Sequence, residues 1–156
     1  MIILFLCHAN MCRSPIAEGL LKHILKLNGI SAEVDSAGFE VYHINEAPDH
    51  RAILKAQEKG FDISTKKVRL FTKEDFDRFD KIYVMDTLAY RNAAYFIRSE
   101  SDRQKLDYLM NVIKPGKNES VPDPFNRGPE FSDKAIDLLH QACDKIASSL
   151  IAQPLN

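Results

Sequence analysis

The sequence has no tryptophan, and among its 156 residues it has only three cysteines and six glycines. Three cysteines are too few for the disulfide framework of a small secreted protein, and an odd number cannot all pair within one chain. We therefore expect a cytoplasmic, reducing setting in which the thiols stay free. The glycines do not form the G-x-x-x-x-G-K-[ST] motif, which excludes the usual nucleotide-binding phosphate loop.

Long apolar runs and a strong net charge are absent as well. The apolar run Ile2–Leu6 is far shorter than the ~20 residues needed to cross a membrane, and no basic segment precedes it. The formal net charge is −1 and the basic residues are dispersed, so we expect no nucleic-acid partner and no membrane surface. The five histidines lack metal-ligand spacing, and we expect neither a metal nor another cofactor.

Strand-like and helix-like segments alternate along the chain, which predicts a three-layer α/β fold with helices on both faces of a four-stranded parallel sheet. The length fits a single domain spanning residues 1–156. Strands are predicted at Ile2–Leu6, 32–37, 81–85 and 108–112. Helices are predicted from Pro15 to residue 28, over 49–59, after a capping box at 72–75, over 88–97, and from a cap at Ser132 onward.

The turn after the first strand carries the chemistry. Ligands of such sheets bind beyond the carboxyl ends of the strands, at helix N-termini. Here a cysteine and an arginine bracket five residues, enough to curl the backbone so that successive N–H groups point at one anion. The predicted phosphate-binding loop consists of Cys7, His8, Ala9, Asn10, Met11, Cys12 and Arg13.

Cys7 is the candidate nucleophile of this loop. The helix dipole and Arg13 favour its thiolate, so we expect Cys7 to be ionised at neutral pH. Arg13 can bind two phosphate oxygens at once, and the Ser14 hydroxyl is placed to donate to the sulfur. The alternative is a small buried Cys7 and a surface Arg13, but the preceding strand, the Ser14-Pro15 pair and the following helix favour the catalytic interpretation.

The nine residues from Cys7 to Pro15 resemble the loop C-x-G-N-x-C-R-S-P of the low-molecular-weight protein tyrosine phosphatases. Further matching segments lie at Ser36-Ala37-Gly38, Pro48-Asp49, residues 76–80, Met85-Asp86 and Asp123-Pro124. The resemblance implies hydrolysis of phosphotyrosine in proteins through a phosphocysteine on Cys7, with Asp123 as general acid and base. It also implies a monomer or weak dimer and, by analogy, a tyrosine kinase as partner.

The resemblance assigns supporting roles to other residues. Tyr42 and Phe125 would line the substrate pocket, although without the family either could be an ordinary core or surface aromatic residue. Asn10 would take the left-handed conformation, held by a hydrogen bond to Ser36. Cys12 would form a reversible disulfide with Cys7, or else be a small buried residue.

The sequence departs from the family pattern at several positions. Ala9 replaces a glycine, so the loop must avoid a positive φ there or accept strain. Residues 65–67 lack the histidine that supports the loop asparagine in many relatives, and the sequence therefore does not predict this support. His8, Tyr42 and Arg127 are expected to shape the rim of the site.

Three alternative functions share parts of this pattern. Arsenate reduction needs further cysteines, but residues 80–99 contain none and Cys143 falls on the final helix. Phosphoarginine phosphatases resemble this chain closely but favour a threonine where Met11 stands, and a larger apolar residue favours a flat phenyl ring. A module that only binds phosphotyrosine would need neither Cys7 nor Asp123.

Overall fold

The computed structural model describes residues 1–125 and 129–152, the last range without the side chains of 129–131. The strands are β1 (Ile2–Leu6), β2 (Glu33–Ala37), β3 (Lys81–Val84) and β4 (Leu106–Tyr108). The helices are α1 (Arg13–Leu27), α2 (His50–Glu58), α3 (Asp75–Arg78), α4 (Thr87–Ala94), α5 (Glu100–Lys105) and α6 (Pro129–Ile151), with a 3₁₀ helix at Leu109–Val112. Among these described helices, none is long and apolar enough to cross a bilayer.

The four strands form one parallel sheet in the order β2-β1-β3-β4, which confirms the predicted fold class. In the register of β1, Leu6 lies beside Ala37 of β2 and beside Val84 of β3. The three strands therefore end at the same edge of the sheet. Because the chain leaves β1 in one direction to reach β2 and the sheet continues in the other direction through β3, a crevice opens at this edge.

β1 is buried on both faces, as its continuous apolar run predicts. Ile3 and Phe5 belong to the core cluster on the side of α1 and α6. Leu4 and Leu6 belong to the second cluster, on the side of α3 and α4. Since full burial of such a side chain contributes about 1.5–3 kcal/mol, the strand is firmly fixed just before the turn that leads into α1.

The strand predicted at 108–112 is wrong in its position. β4 ends at Tyr108, and the residues predicted as strand continue as the 3₁₀ helix Leu109–Val112. Leu109 and Met110 are buried like the strand residues before them, so their hydrophobicity could not mark the boundary. Sequence reasoning also missed α5, whose first turn is capped by the Ser99 hydroxyl accepting from the Asp102 N–H at 3.2 Å.

Two predicted helix starts also differ from the structure. Ser132 lies inside α6, because this helix begins at Pro129, a residue that the first helical position tolerates. The capping box at 72–75 is half formed. The Asp75 carboxylate accepts from the Thr72 N–H at 2.9 Å, but no side chain caps the N-terminus of α3.

Candidate active site

The turn between β1 and α1 is built as an anion cradle. Cys7 is buried at the end of β1, and its N–H donates to the Ala37 carbonyl, which continues the sheet ladder by one residue. In the part of the chain that the structure describes, the backbone N–H groups of residues 8–13 donate to no acceptor. Free N–H groups of consecutive residues at a helix N-terminus favour a bound anion, since the helix dipole adds positive potential there.

A hydroxyl contacts the sulfur of Cys7. The Ser14 Oγ lies 2.9 Å from the Cys7 Sγ, and both side chains are buried. Ser14 is in the first turn of α1, so this contact places the Cys7 sulfur beside the N-terminus of the helix. Either atom could donate in this contact, and a hydrogen bond from the hydroxyl to a charged sulfur would be stronger than one between neutral groups.

Two acceptors hold one nitrogen of the Arg13 guanidinium. Its Nη1 donates to the Asp86 Oδ2 at 2.9 Å and to the Val121 carbonyl at 2.8 Å. Asp86 lies two residues after the end of β3 and also caps α4 by accepting from the Ala89 N–H at 2.9 Å. The Arg13 Nε and Nη2 have no acceptor among the described residues, which leaves two parallel donors for an oxyanion.

In the sequence, Asp86 belongs to a segment that matches the family, but no role was predicted for it. Its position could have indicated a role, since an aspartate directly after the strand predicted at 81–85 lies at the edge of the sheet where ligands bind.

Asn10 holds the shape of the loop from inside. Its φ is 57°, a left-handed conformation that asparagine tolerates. The Nδ2 donates to the Ser14 Oγ and to the Ser36 Oγ, each at 2.9 Å, and the Oδ1 accepts from the Arg69 N–H at 3.1 Å. The side chain is fully buried, so these bonds satisfy an amide that would otherwise be costly to bury.

Lys66 is nearly buried behind the loop, where its side chain is only 9% exposed. Its Nζ lies 2.7 Å from the Asp35 Oδ1, 2.7 Å from the Ser36 carbonyl and 3.1 Å from the Glu18 Oε1. The first two contacts are hydrogen bonds and the third is an ion pair. Burial acts to raise the pKa of Asp35, but the hydrogen bond and charge of Lys66, with the charge of Arg69, outweigh it and lower that pKa.

Ala9 is tolerated because the loop avoids a positive φ at this residue. The close approach that needs a glycine is at Gly38 instead. A Cβ on Gly38 would lie 2.8 Å from the Asn10 N and 2.9 Å from the His8 O. The neighbouring Phe39 N–H donates to the same His8 carbonyl at 2.7 Å, so the chain after β2 rests directly on the loop.

The other two cysteines are poor nucleophiles. Burial raises the pKa of the Cys12 thiol, and the negative charges of Asp49, Cys7 and Asp123 act in the same direction. Burial likewise raises the pKa of the Cys143 thiol on α6. All three cysteines are free in this structure, and a redox pairing of Cys12 with Cys7 stays a prediction.

Asp123 is exposed, and its Oδ1 accepts from the Phe125 N–H at 3.0 Å. The guanidinium of Arg51 lies 4.6 Å from the centre of the Phe125 ring. Arg51 also binds both oxygens of Asp49, and the Asp49 N–H donates to the Met11 carbonyl at 2.9 Å. This series of contacts joins the loop to the segment with Asp123. Sequence reasoning missed Arg51, which no motif marked.

Three residues are expected to shape the rim of the site, namely His8, Tyr42 and Arg127. Tyr42 is 78% exposed, so its role as a pocket wall stays a prediction. His8 is exposed, with its Nε2 3.7 Å from the Glu40 Oε2. Arg127 lies outside the described residues.

Among the residues that are described, no three His, Cys, Asp or Glu side chains are grouped so that they could hold a metal ion.

The contact at Gly38 predicts that Gly38→Ala weakens inhibition by vanadate about ten- to hundred-fold, because the added Cβ pushes the loop backbone out of place. The matched control is Gly116→Ala. Gly116 has a φ of +77°, and a Cβ there would meet no atom within 4 Å, so this change costs about 1 kcal/mol of unfolding free energy and leaves inhibition unchanged. Wild-type inhibition of Gly38→Ala would contradict the close approach.

Comparison with known proteins agrees with this geometry. The chain matches the family described as low molecular weight phosphotyrosine protein phosphatase over residues 2–154. Low molecular weight phosphotyrosine protein phosphatase 2 of Drosophila melanogaster is 37% identical over 154 residues, which cover 97% of this chain and 90% of the relative.

Solved structures show the same fold. A protein tyrosine phosphatase from Entamoeba histolytica, with Hepes in its active site, superposes with a TM-score of 0.87 at 29% identity and covers 97% of each chain. The Drosophila arginine phosphatase superposes with a TM-score of 0.88 at 25% identity, over 99% of this chain and 100% of that one. The chain therefore belongs to the low molecular weight phosphotyrosine protein phosphatase family.

Proposed function

We propose that this protein hydrolyses phosphotyrosine in protein substrates through a phosphocysteine on Cys7. The observation that carries the proposal is the turn itself, where the N–H groups of residues 8–13 are free and the buried Cys7 sulfur contacts Ser14. A phosphate dianion fits such a ring of donors, and Arg13 adds two more. No cofactor is needed for this chemistry, because positioning and charge stabilisation account for most of phosphoryl transfer.

In the first step the Cys7 thiolate attacks phosphorus in line with the leaving oxygen. The S–P bond forms while the bond from phosphorus to the phenolic oxygen breaks, and the N–H groups and Arg13 hold the three remaining oxygens. Asp123, protonated, gives its proton to the leaving phenolate. Its exposed position leaves the carboxyl free to meet a substrate oxygen.

In the second step water attacks the phosphocysteine. Asp123, now a carboxylate, takes a proton from the water, the S–P bond breaks, and inorganic phosphate leaves. The sulfur departs as a thiolate, which the Ser14 hydroxyl at 2.9 Å stabilises. The proton taken from the water leaves Asp123 protonated again, so the enzyme is ready for the next substrate.

Asp123→Asn is predicted to slow cleavage of phenyl phosphate about 100-fold or more, because an amide cannot protonate the leaving oxygen. Cleavage of p-nitrophenyl phosphate should fall much less, since that phenolate leaves without help. The measurement is the single-turnover rate for a series of aryl phosphates. Asp137→Asn, on an exposed face of α6, is the matched control. Equal losses for good and poor leaving groups would remove Asp123 from the acid role.

Phosphoarginine is the second candidate substrate, because the Drosophila arginine phosphatase superposes over nearly the whole of this chain. Met11 supports tyrosine instead. It lies in the loop, partly exposed beside the free N–H groups, where its apolar side chain suits a flat phenyl ring better than a branched guanidinium.

The two substrates can be separated by kcat/KM for matched phosphotyrosine and phosphoarginine peptides. We expect a clear preference for phosphotyrosine, and we expect Met11→Thr to move the ratio toward phosphoarginine by about ten-fold or more. Met11→Leu, which keeps an apolar side chain of similar size, serves as the control and should keep the wild-type ratio. A wild-type preference for phosphoarginine would reverse the assignment.

The setting of this activity is also a proposal. We place the protein in the cytoplasm, where a reducing environment keeps the Cys7 thiol free. Residues 1–156 would act as a single domain, as a monomer or weak dimer. A tyrosine kinase that phosphorylates the same substrates would be its functional partner.

A further inference from the structure

Arg51 lies outside the phosphate-binding loop, but its side chain contacts residues on two sides of the site. It is the second residue of α2, and its Nε and Nη2 donate to the two carboxylate oxygens of Asp49 at 3.0 and 2.8 Å. The central carbon of the same guanidinium lies 4.6 Å from the centre of the Phe125 ring. One flat cation therefore connects Asp49 with Phe125.

The pair with Asp49 fixes the guanidinium relative to the loop. The Asp49 N–H donates to the Met11 carbonyl at 2.9 Å, and the Asp49 Oδ1 also accepts from the Arg51 N–H at 2.8 Å. The hydrogen bond from the Arg51 side chain lowers the pKa of the Asp49 carboxyl, so both partners are charged at neutral pH. A guanidinium held by two parallel hydrogen bonds keeps one plane, and this plane is fixed with respect to Met11.

The Asp123 carboxylate is tied in turn to Phe125. Its Oδ1 accepts from the Phe125 N–H at 3.0 Å. Only Pro124 lies between the two residues, and its ring restricts the backbone there. A shift of Phe125 therefore moves the carboxyl of Asp123 with it.

Few other contacts hold this segment. The last backbone hydrogen bond before it runs from the Val121 N–H to the Met85 carbonyl at 2.7 Å. Among the described residues, the backbone of 122–125 makes no hydrogen bond to another segment. Phe125 packs on the edge of the core cluster, but a cleft of about 350 Å³ lies beside it, lined by residues of α2. The ring thus has room to shift, and its contact with Arg51 opposes the shift.

We propose that Arg51 is a positioning residue for the general acid. By contacting Phe125 while it is bound to Asp49, it holds the Asp123 carboxyl in a fixed place relative to the phosphate-binding loop. The inference rests on the proposed function of Asp123. Loss of Arg51 should then impair proton transfer to the leaving group and leave phosphate binding intact, because Arg13 and the free N–H groups of the loop remain.

The test begins with Arg51→Met, which removes the flat cation and keeps a long side chain. We expect the single-turnover rate for phenyl phosphate to fall about three- to five-fold, the value of one exposed cation–π contact. The rate for p-nitrophenyl phosphate should fall by less than about 1.5-fold, since that phenolate leaves without a proton. Inhibition by inorganic phosphate should stay unchanged. Equal losses for the two substrates would overturn the inference.

A double-mutant cycle shows whether Arg51 acts through Asp123. In the Asp123→Asn background, Arg51→Met should change the rate for phenyl phosphate by less than about 1.5-fold, because no acid is left to position. The same loss in both backgrounds would mean that Arg51 acts independently of the acid, and the inference would be wrong.

Two further variants separate shape from charge. Arg51→Lys keeps the positive charge but cannot bind both oxygens of Asp49 in one plane, so most of the loss should remain. Full recovery in Arg51→Lys would show that charge alone matters and would contradict the proposal. Should Arg51→Met fail to fold, Arg51→Lys carries the same rate test. Arg103→Met is the matched control, because Arg103 is 58% exposed against 60% for Arg51 and forms a comparable ion pair with Glu100 on α5.

Cleavage by chymotrypsin after Phe125 provides a measurement that does not depend on activity. We expect it to be about three-fold faster in Arg51→Met than in the wild type or in Arg103→Met, because proteolysis follows the population of the released segment. Unchanged cleavage would overturn the inference. If the wild-type protein does not cleave aryl phosphates and the proteolysis rates still differ as expected, Arg51 holds the segment and the phosphatase assignment fails.

Discussion

The structure depends on one constraint, which is the turn after β1. The backbone N–H groups of this turn have no partner within the described part of the chain. A folded chain normally pairs its N–H groups, yet those of residues 8–13 are left free at the N-terminus of α1. Such a turn is stable only if its shape is imposed by its surroundings, and it is useful only if an anion completes it. Most of the contacts around the loop serve one of these two needs.

The shape is imposed from three sides. Gly38 lets the chain after β2 lie directly against the loop backbone. Asn10 fills the inside of the turn with bonds to two serines and to the Arg69 N–H. Asp86 holds the guanidinium of Arg13 at the mouth. All three supports lie at the carboxyl edge of the sheet, so the parallel strand order is what brings them to one place.

The local parts of this structure can be predicted from the sequence. A continuous apolar run predicts β1, and the spacing after Pro15 predicts α1, because burial on two faces and the helical period are both visible in a short window. The end of β4 could not be predicted, since buried residues continue into the 3₁₀ helix.

The long-range contacts of the site could not be predicted from a few neighbouring residues either. Lys66 reaches Glu18, Asp86 reaches Arg13, and Arg51 stacks on Phe125, each across a long stretch of chain. A surface lysine or arginine has the same local pattern as one buried behind a catalytic loop. Only the fold decides which of them meets a partner.

We propose above all that the ring of free N–H groups binds a phosphate while the Cys7 sulfur forms a bond to its phosphorus. The most direct measurement is rapid quenching of the enzyme during turnover of an aryl phosphate, followed by mass spectrometry of the peptide that contains residues 7–13. We expect one phosphoryl group on Cys7, absent from Cys7→Ala. Phosphate on another residue, or steady turnover in Cys7→Ala, would contradict it.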